Sequence, residues 1–420
     1  MKNLTPLLYL VTHKDGGNAI LKSMHSLFGN VTGPAVNLIF VTVIRKFILL
    51  FFLISLVACS KSDRNSCLNV RIDIKEKLSE KISIRDICKS IDLIPLGDSI
   101  FLSNGRYSNP GSLVVSDSSI YILDSKTASI NIYDRSGHMI KSMDKTGRGP
   151  GEYLMACQLA INKFNGFLEI LNPMGSIMRY SLDPSNIFES KIDFDDKLKA
   201  VHDFEPIGNN NYMLYSFGKG NKFYTYDYAK HKLKKFSFDL PYWLFVFNSV
   251  SKPLVWIGDK LCFYRSFDGM LYEVNTTHMS FTPLIMWDFR DKNIKMDNLV
   301  PDKDAHYYSD YLRRNSENIA APFIFFGYGD QKIISNFVFD LTVYTLIYDI
   351  ESKEVIVFDK TVEGVKILPT QVCGNHIYML VEPDYIWDYI WPELMDTEDR
   401  ALLDNLPQDS NTLLIDYTMS

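Results

Sequence analysis

The sequence predicts an all-β fold, a six-bladed β-propeller of four-stranded antiparallel blades. Three observations predict it. Short segments centred on a tyrosine recur at a near-constant interval, an apolar strand precedes each of them, and a sixth unit is split between the two ends of the chain.

The tyrosine segments are "INIYDRSGHMIKSM", "IMRYSLDPSNIFESKI", "FYTYDYAKHKLKKF", "MLYEVNTTHMSFTPL" and "TLIYDIESKEVIVF". Each has an alternating apolar run, a polar turn and a second alternating run, the pattern of a β-hairpin. Their tyrosines, Tyr133, Tyr180, Tyr226, Tyr272 and Tyr348, lie 47, 46, 46 and 76 residues apart. The last gap holds an insertion of about 30 residues over the regular period, and Asp302 to Asn318 within it reads as helix. About ten residues before each tyrosine lies another strand: "SIYILD", "GFLEIL", "NYMLYSF", "KLCFYRS" and "KIISNFVF". With a further strand upstream, such as "SLVVS" or "CQLAIN", each unit has four strands in 40–50 residues, the make-up of a propeller blade.

The sixth unit has "NHIYMLV" (Asn375 to Val381), a long interruption, and "TLLIDYTMS" with Tyr417 at the end of the chain. Its missing outer strand is supplied by "SIDLIPL", Ser90 to Leu96, from the start of the domain. Pairing the first strand with the last closes the ring and removes a free edge. A sandwich of ordinary hairpins is the alternative, but it does not predict even spacing.

Residues 1–58 read as a signal region, 59–84 as a lipidated tether and 85–420 as the propeller. Arg45 and Lys46 precede an apolar run from Phe47 to Ala58. That run is shorter than the roughly 20 residues of a membrane span and fits a secretory signal. Leu56-Val57-Ala58-Cys59 resembles a bacterial lipobox, which implies cleavage before Cys59 and a covalent lipid there. Ser60 after the cysteine favours the outer membrane by the same resemblance. Residues 1–44 precede the charged region without a trusted periodicity, as a start assigned too far upstream would leave them.

Charge narrows the partners. Residues 1–58 hold five Lys/Arg and one Asp, so the chain from Cys59 has 39 basic and 49 acidic residues, net −10. Nucleic-acid binding needs a basic footprint and is not expected. The cysteines after Cys59 are scattered, with no C-x-x-C. Most read as small buried residues, with a Cys67–Cys88 disulfide left open.

Catalytic motifs are scarce. "TGRGPGEYL" places Gly147, Gly149 and Gly151 before Glu152, without the Lys-Ser/Thr of a phosphate-binding loop. It reads as a tight crossing from blade one to blade two, with Arg148 and Glu152 capping backbone or facing a ligand. His138, His202, His231, His278, His306 and His376 are isolated, and Asp193, Asp195 and Asp196 lack the rest of a calcium loop, so neither a metal nor any other cofactor is expected. "DYIWDYIWPELMDTEDRALLDNL" places Tyr385/Tyr389 and Trp387/Trp391 at i,i+4, so a helix would stack them in rows. They read either as packing on the ring or as an aromatic face for a protein or sugar.

"SSIYILDSKTASINIYDRSGHMIKSMDKTGRGPGEY" resembles an NHL-type repeat, and more closely the six-bladed β-propeller lipoproteins of Bacteroides-like bacteria. The resemblance implies the propeller over about 85–420 and a place in the cell envelope, anchored in the membrane by lipid. The expected function is binding or scaffolding of an envelope protein, peptide or glycan. The alternative is a lyase or hydrolase at the mouth of the central channel, with no catalytic residue aligned.

Overall fold

The computed structural model describes residues 67–420 apart from 98–101, 103–109, 125, 184, 195–197, 199, 217–222, 237–251, 266–268, 302 and 408–409. Cys59, the signal region, Asp195 and Asp196 lie outside the described residues. Six sheets follow one another along the chain, each beginning at its innermost strand. Blade one is Leu113–Val115, Ser119–Asp124, Ser129–Asp134 and Met139–Met143. Blade two is Gln158–Ile161, Leu168–Asn172, Ser176–Tyr180 and Phe188–Asp193. Blade three is Val201–Gly208, Asn211–Ser216, Phe223–Asp227 and Lys232–Lys235. Blade four is Leu254–Ile257, Lys260–Arg265, Met270–Asn275 and Ser280–Asp288. Blade five is Ala321–Tyr328, Lys332–Phe339, Thr342–Asp349 and Val355–Phe358. Consecutive blades meet through their inner strands, and blade six meets blade one, so the six form a closed ring.

Closure is made as the split repeat predicts. Blade six runs Gln371–Cys373, His376–Val381 and Leu413–Met419, and Cys88–Pro95 pairs antiparallel outside the last of these. Ile91 stands opposite Tyr417 and Leu93 opposite Ile415, and all four are buried. The seam thus buries alternate residues of both terminal strands at once.

Every repeat tyrosine sits on the third strand of its blade, and all six are buried. Several tie one blade to the chain before it. The Tyr180 hydroxyl donates to the Gly151 carbonyl in the crossing from blade one. The Tyr226 hydroxyl donates to the Asp193 carbonyl of blade two at 2.9 Å. The Tyr417 hydroxyl donates to the Tyr389 carbonyl at 2.6 Å. A phenol has an apolar body for the seam between sheets and a donor long enough to reach a neighbouring loop. That double use accounts for a tyrosine, not a leucine, at the repeating position.

Within the segment read as a tether, Leu68–Arg71 is a strand lying parallel to the outer strand of blade four, with Leu68 opposite Ile285. A helix, Ile74–Ser79, capped by the Asp73 carboxylate, then crosses blade five's outer strand. A single turn, Ile84–Ile87, follows, with a Ser83/Asp86 capping box and the Glu363 carboxylate accepting from the Ile84 N–H at 2.8 Å. Edge strands invite unwanted pairing unless covered or charged. Blade five's outer strand, Val-Ile-Val-Phe, is wholly apolar and is covered by this belt. Those of blades one to three carry lysines or acids and are left bare of it. Cys67 lies beside Met270 of blade four, while Cys88 starts the outer strand of blade six. Both thiols are free.

Strand alternation gives the ring two unlike faces. We call the face where inner strands begin the upper face. Lower-face connections are hairpin turns of two to seven residues. The longer connections, 144–157, 289–320, 359–370 and 382–412 among them, leave from the upper face. The 289–320 insertion contains the helix Ala305–Arg314, within the long spacing between Tyr272 and Tyr348.

Candidate functional site

The upper face carries the loops, and near the axis the inner strands of blades three and four hold a buried charge cluster. Asp203 and Glu205 are two apart on blade three's inner strand and so share one side of it. Lys252, just before blade four's inner strand, has its ammonium 3.4 Å from Asp203 Oδ1 and in contact with Glu205 Oε1. The second oxygens are also used. The Leu254 N–H donates to Asp203 Oδ2 at 2.8 Å, and the Trp256 indole N–H donates to Glu205 Oε2 at 2.9 Å. Asp203 is fully buried and the Lys252 side chain is 12% exposed.

The cluster extends across the ring. The Gln158 side chain of blade two bonds both the N–H and the carbonyl of Phe204, at 3.1 and 3.2 Å. Gly111, just before blade one's inner strand, faces Gln158 and Lys252. A Cβ there would stand 3.0 Å from Gln158 Cγ and 3.7 Å from Lys252 Cδ. The lysine stem therefore lies against blade one while its head pairs with blade three. On the other side of Trp256, the Lys163 ammonium sits 3.5 Å from the ring centroid, a cation–π contact.

Burial pushes the carboxyls of Asp203 and Glu205 above their ordinary range, and the Lys252 charge pulls each back. Burial alone would lower Lys252, but the two carboxylates outweigh it and hold its affinity for the proton above normal. Such a group is a satisfied ion cluster. Its donors and acceptors point at one another, and it leaves no lone charge aimed at a ligand.

Sequence reading missed this cluster because Lys252 lies 49 and 47 residues from the two carboxylates, and the three form no local motif. The available signal was "HDFEP", two carboxylates at strand period in a segment that must be an innermost strand.

The glycine loop lies where the register places it, between Met143 of blade one and Gln158 of blade two. Glu152 turns back into it, and its carboxylate accepts from the Gly149 N–H at 2.6 Å. A Cβ on Gly147 would meet that carboxylate at 2.0 Å. The loop is an anion cradle filled by its own side chain. Gly151 adopts φ +73°, and a Cβ there would strike the Phe188 ring at 2.7 Å. Arg148 is exposed.

The aromatic excursion is not the expected α-helix. Pro383–Asp388 and Pro392–Leu394 are short 3₁₀ segments, each with proline at its first position. Ile386 and Ile390 are buried, and Tyr385, Tyr389 and Trp391 pack against the same core. The prolines break the chain into two turns, so the i,i+4 rows never form. The Arg85 guanidinium of the belt lies 4.6 Å from the Trp391 ring centroid and pairs with Glu393 at 2.7 Å. Trp387 alone among the four points outward, 63% exposed. Leu154, Met155, Met174 and Val362 are further exposed apolar side chains on upper-face connections. Among the histidines, His376 bonds Asp416 at 2.8 Å, and Asp416 also lies 3.7 Å from Arg135. Among the described residues no three His, Cys, Asp or Glu converge as metal ligands.

Comparison with solved structures finds the same fold in a Bacteroides fragilis NCTC 9343 protein described as a "putative exported protein". It is 14% identical, with a TM-score of 0.62, over 84% of this chain and 99% of that one. A member of the DUF4221 family from Bacteroides vulgatus ATCC 8482 matches at 10% identity and a TM-score of 0.47, over 79% of this chain and 98% of that one. No curated protein matches the chain. The family model for DUF4934, a domain of unknown function, matches residues 69–417, almost the whole described propeller, and the chain belongs to that family.

Proposed function

We propose that the chain is a lipid-anchored propeller of the cell envelope, held at Cys59, that binds a protein, peptide or glycan on its upper face. The observation that carries the reading is the asymmetry of the ring. The long connections, with the exposed apolar side chains Leu154, Met155, Val362 and Trp387 on them, leave from the upper face, while the lower face has short turns that carry two such side chains, Phe164 and Ile187. Exposed apolar groups gathered on one face of a rigid scaffold are the usual basis of recognition. The exported description of the Bacteroides fragilis neighbour supports the envelope setting. The test is capture from native envelope with residues 65–420, followed by a glycan array. Trp387→Ala should weaken capture at least about tenfold while leaving thermal unfolding unchanged, as for an exposed aromatic anchor. Equal capture by both proteins would remove the upper face from the proposal.

The second reading is a lyase or hydrolase, and Asp203 and Glu205 are the carboxylates that favour it. Their oxygens are engaged by Lys252, Leu254 and Trp256, which weighs for a structural role. Turnover of any envelope glycan or ester that vanished in both Asp203→Asn and Glu205→Gln, with folding intact, would reverse that judgement.

A further inference from the structure

The outer strand of blade three, Lys232–Lys235, reads Lys-Leu-Lys-Lys and follows Lys230 and His231 in its hairpin turn. Lys232, Lys234 and Lys235 are exposed, and none has an ion-pair partner among the described residues. Lys230 is paired with Asp227 at 2.9 Å. Asp193 of blade two shares a shallow groove with His231 and Lys232 but pairs with Lys191 at 2.7 Å. The next blade continues the charge. Its outermost strand is Leu68–Arg71, and the Arg71 side chain is 67% exposed, with its Nε 4.0 Å from Asp288 Oδ2. Lys75 follows, exposed, at the start of the belt helix. This cationic rim belongs to a chain with net charge −6.

The rim's position matters as much as its sign. Leu68 lies nine positions after Cys59. Fully extended, that stretch spans about 30 Å. A lipid at Cys59 therefore keeps the Leu68 end of blade four's outer edge within about 30 Å of the bilayer. Blade five's rim lies under the belt helix, whose Lys75 and Lys77 alternate with Glu76 and Glu80. Blade three's rim is the neighbour whose strand is basic without an acid.

We propose that the outer rim of blades three and four, with Lys232, Lys234, Lys235 and Arg71, is a membrane-facing surface that binds anionic phospholipid headgroups. It rests on the envelope reading for the presence of a bilayer, but its own binding needs no lipid on the protein. Lysines near an anionic surface strengthen partition by roughly fivefold each. In this arrangement the ring stands edge-on to the membrane, and its upper face opens sideways.

The test uses residues 65–420, which form one compact unit containing every described core cluster and the closing seam. The protein is sedimented with phosphatidylcholine vesicles with and without roughly a third phosphatidylglycerol, at about 0.05 and about 0.5 M salt. Binding should require the anionic lipid and be lost at high salt. The variant Lys232→Glu/Lys234→Glu/Lys235→Glu should bind roughly a hundredfold more weakly. Glutamate keeps the edge strand charged, so folding should survive, and thermal unfolding verifies this. A control, Lys126→Glu/Lys145→Glu/Lys360→Glu, changes the same charge on the upper-face connections of other blades and should bind as the parent does. Binding to phosphatidylcholine alone, an equal loss in the control, an unchanged rim variant, or equal retention on soluble polyglutamate would each overturn the proposal. Lipid labelling of Cys59 against Cys59→Ser in cells tests the anchor separately, and its failure leaves the vesicle result standing.

Discussion

Replacing Lys252 with methionine removes one charge and keeps most of the side-chain volume. Asp203, fully buried, and Glu205, nearly so, would lose their cation. Breaking a buried pair in this way costs about 3–5 kcal/mol, because the remaining charge has no partner and little water. For a body of about 350 residues the unfolding entropy is roughly 0.7 kcal/mol/K, so the midpoint should fall by roughly 4–7 °C. The pH dependence is the sharper readout. Burial already holds both carboxyls above their ordinary range, and loss of the ammonium raises them further. A carboxyl whose folded-state pKa is raised stabilises the fold below its unfolded value, near 4, and loses that contribution as pH rises through the folded value. The deficit of Lys252→Met should therefore be small near about pH 4 and grow toward about pH 7.5. Adding Asp203→Asn and Glu205→Gln should restore most of the loss at neutral pH. Denaturant unfolding at the two pH values gives all three numbers. A deficit under about 1 kcal/mol, or one that does not change with pH, would refute a charged, mutually dependent cluster.

Three further outcomes follow from the same geometry. Gly151 and Gly166 share φ +73°, but a Cβ meets the Phe188 ring at the first and nothing within 4 Å at the second. Gly151→Ala should cost about 2–4 kcal/mol, Gly166→Ala only about 1, by parallel denaturant titrations. Tyr226→Phe deletes the bond to the Asp193 carbonyl and should cost about 1–2 kcal/mol, with no change in secondary structure by circular dichroism. Glu152→Ala empties the glycine cradle and leaves the Gly149 N–H without its acceptor. A loss of about 1–3 kcal/mol and faster proteolysis between residues 144 and 157 are expected.

The fold was legible because a propeller writes its period into the chain. Tyr133, Tyr180, Tyr226, Tyr272, Tyr348 and Tyr417 all sit buried on the third strand of a blade, so one residue type recurs wherever the ring repeats that position. The composite blade was legible for a related reason: Tyr417 had a third strand's sequence and no fourth strand after it. The belt was not legible. Leu68–Arg71 is four residues long, pairs in parallel with a strand more than 200 positions away, and has one buried side chain, Val70. The excursion misled because Tyr385, Trp387, Tyr389 and Trp391 have helical spacing, whereas Pro383 and Pro392 and the seating of Ile386 and Ile390 decide the backbone. At the axis, Asp203 and Lys252 come together through ring geometry alone, which no local pattern encodes.

The seam of blade six also sets an order of events during synthesis. Cys88–Pro95 is made long before its partner, Leu413–Met419. Until that partner is made the early strand lacks its neighbour in blade six, and closing a loop of this length is entropically slow. The blade-six seam can therefore close only after Leu413–Met419 has been made. A chain ending at residue 412 should keep the 88–95 segment open to protease, and adding the missing strand as a separate peptide should protect it.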